Sequence, residues 1–206
     1  GFDDQLKKLN RPHTAKDFLL ACNMLKGENI SADILIGLSA QTAEQVKKSI
    51  DLAIAGGVSH ISMYALTPEV GTPIYTDYLN GELLSDDETA DIYDSARAYL
   101  AEKGFYRYEV SNFAKPGFES RHNLNYWRRG EYIGLGVAAS SFIDGIRFTN
   151  TFSIDEYMNA IIYNKTPEIS SDVIEGDDAK FEFIMLALRT TDGLNFADFE
   201  KAFNVS

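Results

Sequence analysis

Residues 30–38, Ile30-Ser31-Ala32-Asp33-Ile34-Leu35-Ile36-Gly37-Leu38, together with residues 58–66, Val58-Ser59-His60-Ile61-Ser62-Met63-Tyr64-Ala65-Leu66, decide the fold. Each is a short apolar run of strand length. Between them Thr42-Ala43-Glu44-Gln45 has the form of a capping box, which opens a helix. Val46, Ile50, Ala53 and Ile54 then fall on one helical face, and Gly56-Gly57 ends it. Strand, capped helix and strand in that order predict a βα unit with a parallel sheet and helices outside.

The pattern extends in both directions. Upstream, Thr14-Ala15-Lys16-Asp17 caps a helix with Phe18, Ala21, Cys22 and Leu25 on one face, closed by Gly27. Downstream, a Pro/Gly/Thr loop runs from Thr67 to Pro73, and Ser85-Asp86-Asp87-Glu88 opens a helix that Gly104 closes. Beyond residue 104 the character changes. Residues 105–113 and 132–148 read as strands, the latter holding Gly134-Leu135-Gly136. Ser153-Ile154-Asp155-Glu156 caps another helix, the polar stretch 164–178 reads as a linker, and residues 180–188 and 196–203 begin two apolar helices. Three regions are expected: βα units over 1–104, an accessory strand and helix region over 105–165, and a linker with the start of a helical domain over 166–206.

The composition bounds the partners. With 31 acids against 19 bases and a net charge of −12, no basic stripe is available to track phosphates. Nucleic acid and an anionic membrane surface are therefore not expected partners. No apolar stretch is long enough to cross a bilayer, and no signal peptide opens the sequence. The one cysteine, Cys22, has no partner within the chain, which points to a reducing, cytoplasmic setting and a core position. It also excludes a metal site built from cysteines of this chain alone.

The stretch with the most chemistry is residues 108–127, Tyr108-Glu109-Val110-Ser111-Asn112-Phe113 through to Arg121-His122-Asn123-Leu124-Asn125-Tyr126-Trp127. It gathers a histidine, an arginine, two acids and five aromatic rings around the turn at Pro116-Gly117. One reading makes Glu109–Phe113 a strand, the aromatics core and His122 a hydrogen-bonded loop residue. The other takes His122 beside Asn123, with Tyr126 and Trp127 following, as suited to axial ligation and stacking of a macrocycle. Elsewhere Asp33 is an acid inside an apolar strand, costly unless paired or solvated. Arg11 stands before a helix start and suits a carboxylate. Gly37–Thr42 precedes a helix N-terminus able to receive an anion, and Gly134–Gly136 permits close backbone approach to a ligand. His13 reads as a capping or surface group and His60 as a hydrogen-bonded core histidine. No zinc-like spacing and no nucleophile elbow occurs.

Taken together, Phe2-Asp3-Asp4, Arg11-Pro12-His13, Asp33–Leu38 with Gln41-Thr42, His60–Tyr64, Thr67-Pro68-Glu69, Gly71-Thr72-Pro73, the 108–127 run and Gly134–Gly136 resemble the oxygen-independent coproporphyrinogen III oxidase-like family of radical S-adenosylmethionine proteins, and more closely its haem chaperone branch. The resemblance spans nearly the whole chain, and His122–Trp127 is its most specific part. It implies an α/β fold: the C-terminal half of a partial TIM-like barrel, an accessory β-containing region and the start of a helical C-terminal domain. It implies S-adenosylmethionine and a 4Fe-4S cluster in the intact parent. The three-cysteine loop that holds the cluster in the family is not in this sequence, so the chain alone is expected to assemble no cluster and not to turn over. Arg11, Asp33, Thr67 and Ser140 match positions that contact S-adenosylmethionine, and His122, Asn123, Tyr126 and Trp127 match the motif linked with haem. Ser39-Ala40 stands where the family has Pro-Gly. Ser140 stands where the chaperone branch has histidine and the oxidase branch isoleucine. The implied function is haem binding and transfer to an acceptor protein. The alternative is oxidative decarboxylation of porphyrinogen propionates in porphyrin biosynthesis, and a third reading is a βα-barrel piece of unrelated function. An exposed sheet edge, with self-association through it, is also expected.

Overall fold

The computed structural model describes residues 3–204. Phe2, part of the Phe2-Asp3-Asp4 match, lies outside them. The chain divides into two compact units, residues 1–120 and 121–206.

In the first unit, α1 (Asp3–Lys8) and α2 (Ala15–Met24) lead into β1 (Ser31–Ile36), α3 (Ala43–Ala55) and β2 (His60–Ala65). The short α4 (Pro73–Leu79) and the long α5 (Asp86–Glu102) follow, and then β3 (Tyr106–Arg107) and β4 (Asn112–Ala114). Three helices start where sequence places their caps. Thr14, Thr42 and Ser85 each accept the backbone N–H three residues on, and Asp17, Gln45 and Glu88 each return the bond to the cap's own N–H.

The sheet runs β1-β2-β4-β3. β1 and β2 pair in parallel from Ser31↔His60 to Ile36↔Ala65. The 105–113 segment, expected as a strand of an accessory region, folds into the β3–β4 hairpin, and β4 lies antiparallel to β2 in the same sheet. Residues after α5 are too few to make another crossover, so the chain returns as a tight hairpin. This hairpin joins the first unit's sheet, so the compact unit ends at residue 120 rather than at 104.

Because strand side chains alternate, Ala32, Ile34, Ile36, Ile61, Met63 and Phe113 share the helix-covered face. They pack with Val46, Ile50 and Ala53 of α3 and Ile92, Ala96 and Leu100 of α5 into one buried core. The other face carries Ser31 and Asp33 of β1, His60 and Ser62 of β2 and Asn112 of β4. Asp33 is therefore not embedded among apolar neighbours; it is exposed, on the polar side of an alternating strand. β1 forms one end of the sheet, an edge with no strand beyond it among the described residues.

The second unit begins with α6 (Arg121–Trp127). It continues with β5 (Ser140–Ile143), β6 (Ile146–Asn150), α7 (Ile154–Ile162), β7 (Glu168–Val173), α8 (Gly176–Ala187) and α9 (Phe196–Phe203). The single strand expected over 132–148 is a hairpin turned at Asp144-Gly145. The expected linker over 164–178 holds a strand, since β7 pairs antiparallel with β6. All six β7 residues are exposed, so no apolar alternation marks it in the sequence; backbone pairing alone makes it a strand. No helix of the described residues is long and apolar enough to cross a membrane.

Candidate functional site

In α6, residues four apart share a face. His122 and Tyr126 meet edge to face with ring centroids 4.7 Å apart, and Tyr126 meets Tyr132 the same way at 4.6 Å. Tyr132 is fixed by a two-way backbone bridge to Phe142, and the two rings lie 6.3 Å apart. A ladder of rings thus runs from the helix to the β5–β6 hairpin. The His122 side chain is exposed and has no hydrogen-bond partner among the described residues. Asn123 is the next residue of the same turn.

Local chemistry holds this helix end in place. Its last turn closes as the Gly130 N–H donates to the Asn125 carbonyl at 2.8 Å. A Cβ on Gly130 would overlap the Asn125 carboxamide, which itself donates to the Glu131 carbonyl at 2.9 Å. Arg129 then reaches Glu182 of α8 at 2.9 Å, and Arg147 of β6 takes the other oxygen of that carboxylate at 2.9 Å. Both guanidinium groups lie over the Phe142 ring, at 4.8 and 5.3 Å. Glu182 holds the Arg147 guanidinium even more firmly protonated than usual.

Trp127 is not part of the ring ladder. Five residues after His122, it points about 140° away around the helix. It lies beneath the Arg189 guanidinium, 4.9 Å from the ring. Its indole N–H is buried and has no partner among the described residues.

The four residues expected to contact S-adenosylmethionine do not all lie in one unit. Arg11 is exposed in the link between α1 and α2 and makes no ion pair among the described residues; Asp33 is exposed on β1; Thr67 is exposed just past β2. A carboxylate, a hydroxyl and a free guanidinium suit the amine, hydroxyl and carboxylate groups of such a ligand. Ser140 belongs to the second unit, where its hydroxyl pairs across the hairpin with that of Thr149 at 3.0 Å. The iron–sulfur cluster does not fit these residues. Cys22 is the one cysteine and is buried, and no group of three possible metal ligands occurs among the described residues.

Two expected ligand contacts are taken by the chain itself. The Gln41 carboxamide accepts the Gly37 and Leu38 N–H groups at 2.9 and 3.4 Å and donates to the Leu35 carbonyl at 3.0 Å. Thr42 and Gln45 cap α3 reciprocally, which occupies the Thr42 and Gln45 N–H groups at that helix start. Gly134 serves packing, because a Cβ there would overlap the Ser140 carbonyl; its own N–H donates to the Ser141 hydroxyl at 2.9 Å. His60 is buried, with Nδ1 2.7 Å from the Ser31 hydroxyl and Nε2 2.7 Å from the Tyr108 hydroxyl. Burial pushes its pKa below the ordinary histidine value, and the nearby Asp33 carboxylate opposes the shift. His13 is exposed beside the Thr14 cap, which does the capping.

The family description "HemN C-terminal domain" matches residues 174–206. The heme chaperone HemW of Lactococcus lactis is 35% identical over 206 residues, covering 98% of this chain and 54% of that protein. That of Bacillus subtilis is 32% identical over 209 residues, covering 99% of this chain and 55% of that protein. The chain belongs to the coproporphyrinogen III oxidase-like radical S-adenosylmethionine family, in its haem chaperone branch. Among solved structures, coproporphyrinogen III oxidase (HemN) from Escherichia coli, a radical SAM enzyme, matches with a TM-score of 0.78 at 16% identity. That match covers 97% of this chain and 50% of the enzyme, and it shows a shared TIM-like α/β fold. The chain spans about half the length of the curated relatives it matches.

Sequence reasoning missed Tyr132, which completes the ladder, and the role of Gln41 in filling the turn after β1. Tyr132 carries no local signal, since contact with Tyr126 depends on the turn at Arg129-Gly130. Gln41 sits beside the capping box, where a side-chain acceptor facing a glycine turn was a usable clue.

Proposed function

We propose that this chain carries the haem-binding face of a haem chaperone, with haem docked on α6. His122 supplies an imidazole nitrogen to the iron. Tyr126, backed by Tyr132, forms the wall against which the macrocycle packs, and Asn123 flanks the ligand with a carboxamide. The observation that carries this reading is an exposed imidazole with no hydrogen-bond partner, held in orientation by edge-to-face contact with a ring that is itself braced. Such a histidine is free to take a metal without breaking an internal bond. Trp127 contributes from the opposite side of the helix, by anchoring α6 on α8 rather than by stacking on the ligand.

In the whole protein, Arg11, Asp33 and Thr67 of the first unit would contact S-adenosylmethionine. Haem would pass from α6 to an acceptor protein in a reducing, cytoplasmic setting, which the unpaired Cys22 suits. The open edge of β1 suits self-association by strand pairing; a sedimentation run showing only monomer at high concentration contradicts that part.

Haem titration of the chain, followed at the Soret band, tests the reading. Saturable binding that weakens at least about tenfold in His122→Ala supports it, by analogy with the loss seen when metal-site residues are removed. Undiminished affinity in the variant overturns it. The oxidase alternative calls instead for porphyrinogen propionate decarboxylation by the whole protein, with no dependence on haem.

A further inference from the structure

The orientation of His122 traces back to one carboxylate on α8. The imidazole has no hydrogen-bond partner among the described residues, so it rests on the Tyr126 ring, 4.7 Å away edge to face. Tyr126 rests in turn on Tyr132, at 4.6 Å. Tyr132 is fixed at both ends. Its backbone bridges Phe142, and its hydroxyl is bonded by the Arg147 guanidinium, which Glu182 holds first and more strongly. Arg147 Nη1 lies 2.9 Å from Glu182 Oε2. Contacts therefore run unbroken from Glu182 through Arg147, Tyr132 and Tyr126 to His122.

The same carboxylate holds the other side of the Tyr126–Tyr132 contact. Its Oε1 lies 2.9 Å from Arg129 Nε. Arg129 is where the chain leaves α6, with φ at 56°, a left-handed conformation that costs any residue bearing a Cβ. Its N–H donates to the Tyr126 carbonyl at 3.0 Å, so this turn decides where Tyr132, three residues on, comes back against Tyr126. Arg129 also donates to the Ile174 carbonyl at 3.3 Å. Glu182 thus fixes both the exit of α6 and the tyrosine that the exit leads to.

We propose that Glu182 is the positioning residue for His122, setting the orientation of the imidazole through Arg129, Arg147 and the two tyrosine rings. A ligating histidine ordinarily takes its orientation from a hydrogen bond on its second nitrogen. His122 has no such bond, and packing takes its place. Edge-to-face rings keep a preferred geometry, so a displaced Tyr132 carries Tyr126 and then His122 with it. What the imidazole binds rests on the haem reading; how it is oriented rests on contacts present without haem.

The test has one arm without haem and one with it. The chain has three histidines, so the His122 ring protons are identified in the proton NMR spectrum by their absence in His122→Ala. In the wild type the Tyr126 ring displaces them from the position of a free histidine. Arg147→Gln and Tyr132→Phe leave the Glu182–Arg129 pair in place and should each return them part of the way; Glu182→Gln should return them furthest. In haem titrations Glu182→Gln should bind about tenfold more weakly than the wild type, with smaller losses in the other two. Asn195→Ala removes the cap of α9 and is the structural control: it should lower the unfolding midpoint of the second unit and leave both the His122 signals and haem affinity unchanged. His122 signals that stay in place in Glu182→Gln and Arg147→Gln overturn the proposal whether or not haem binds. Equal changes in Asn195→Ala overturn it too, by making Glu182 merely structural. Haem bound equally by the wild type and Glu182→Gln, but weakly by His122→Ala, overturns it while the haem reading stands. Haem bound equally by the wild type and His122→Ala sinks the haem reading, and the NMR arm still decides whether Glu182 orients the imidazole.

Discussion

The two units are held together by different means. The first buries one continuous apolar core, in which Ile36, Ile50, Ile61, Leu100, Phe105 and Phe113 are inaccessible to solvent. The second buries few apolar side chains, Phe142 and Ala179 among them. Its helices α6, α7 and α9 have no buried residue. Polar fastenings take the core's place. Glu182 clamps Arg129 and Arg147, Thr151 donates to Glu156 at 2.5 Å, and the Asn150 carboxamide donates to the Gly134 and Gly136 carbonyls at 3.4 and 2.9 Å. A hydrophobic core tolerates little change of shape. A polar, open unit leaves a side chain such as His122 with a valence to spare, and that is a group a ligand can use. The contrast is between a packed scaffold and a sparsely packed unit held by polar contacts.

Substitutions can sharpen or break that contrast. The largest effect is expected at Phe113→Ala, which should cost the first unit about 3–5 kcal/mol. Ile161→Ala, on an exposed face of α7, should stay within about 0.5 kcal/mol. Urea unfolding followed by far-ultraviolet circular dichroism measures both; comparable losses would erase the contrast. Next is Glu182→Ala. It strands two guanidinium groups whose shared partner is only 12% exposed, and should cost about 3 kcal/mol. Trp127 emission reads that transition because the sole tryptophan lies in the second unit. An unchanged midpoint would mean the clamp does not hold that unit. Thr42→Ala removes a reciprocal cap of α3 and should cost the first unit about 1 kcal/mol.

The smallest effect is a pH slope. His60 has a folded pKa below its unfolded value, so the unfolded chain takes up the proton first. The stability of the first unit is then fully present above roughly pH 6.5 and falls as the pH drops from there through the folded pKa. Unfolding midpoints between pH 7.5 and 5 should show this fall in the wild type and a flatter profile in His60→Gln. Identical profiles would remove His60 as its source.

Much of the first unit is legible in the sequence. Capping boxes mark three helix starts, and alternation or apolar runs mark β1 and β2, because those features are local. The hairpin β3–β4 was harder, since its direction depends on pairing with β2. In the second unit the sequence of β7 has the character of a linker, because Glu168-Ile169-Ser170-Ser171-Asp172-Val173 buries nothing and its strand character comes from β6. The candidate site was legible as a list of residues but not as a geometry. Helical spacing pairs His122 with Tyr126 and turns Trp127 away, a conclusion open to anyone who winds the stretch at 3.6 residues per turn. Tyr132 and Arg189 approach that helix only through tertiary contacts, so no local pattern announces them.

The proposed capture of haem by the His122 imidazole of α6 is open to a direct titration. Haem added to the wild-type chain and to His122→Ala, with Tyr126→Ala alongside, should give a saturable Soret change in the first. That change should be at least about tenfold weaker in the histidine variant and intermediate in the tyrosine variant. Equal haem affinity in all three would contradict the assignment of α6 as the haem-binding helix.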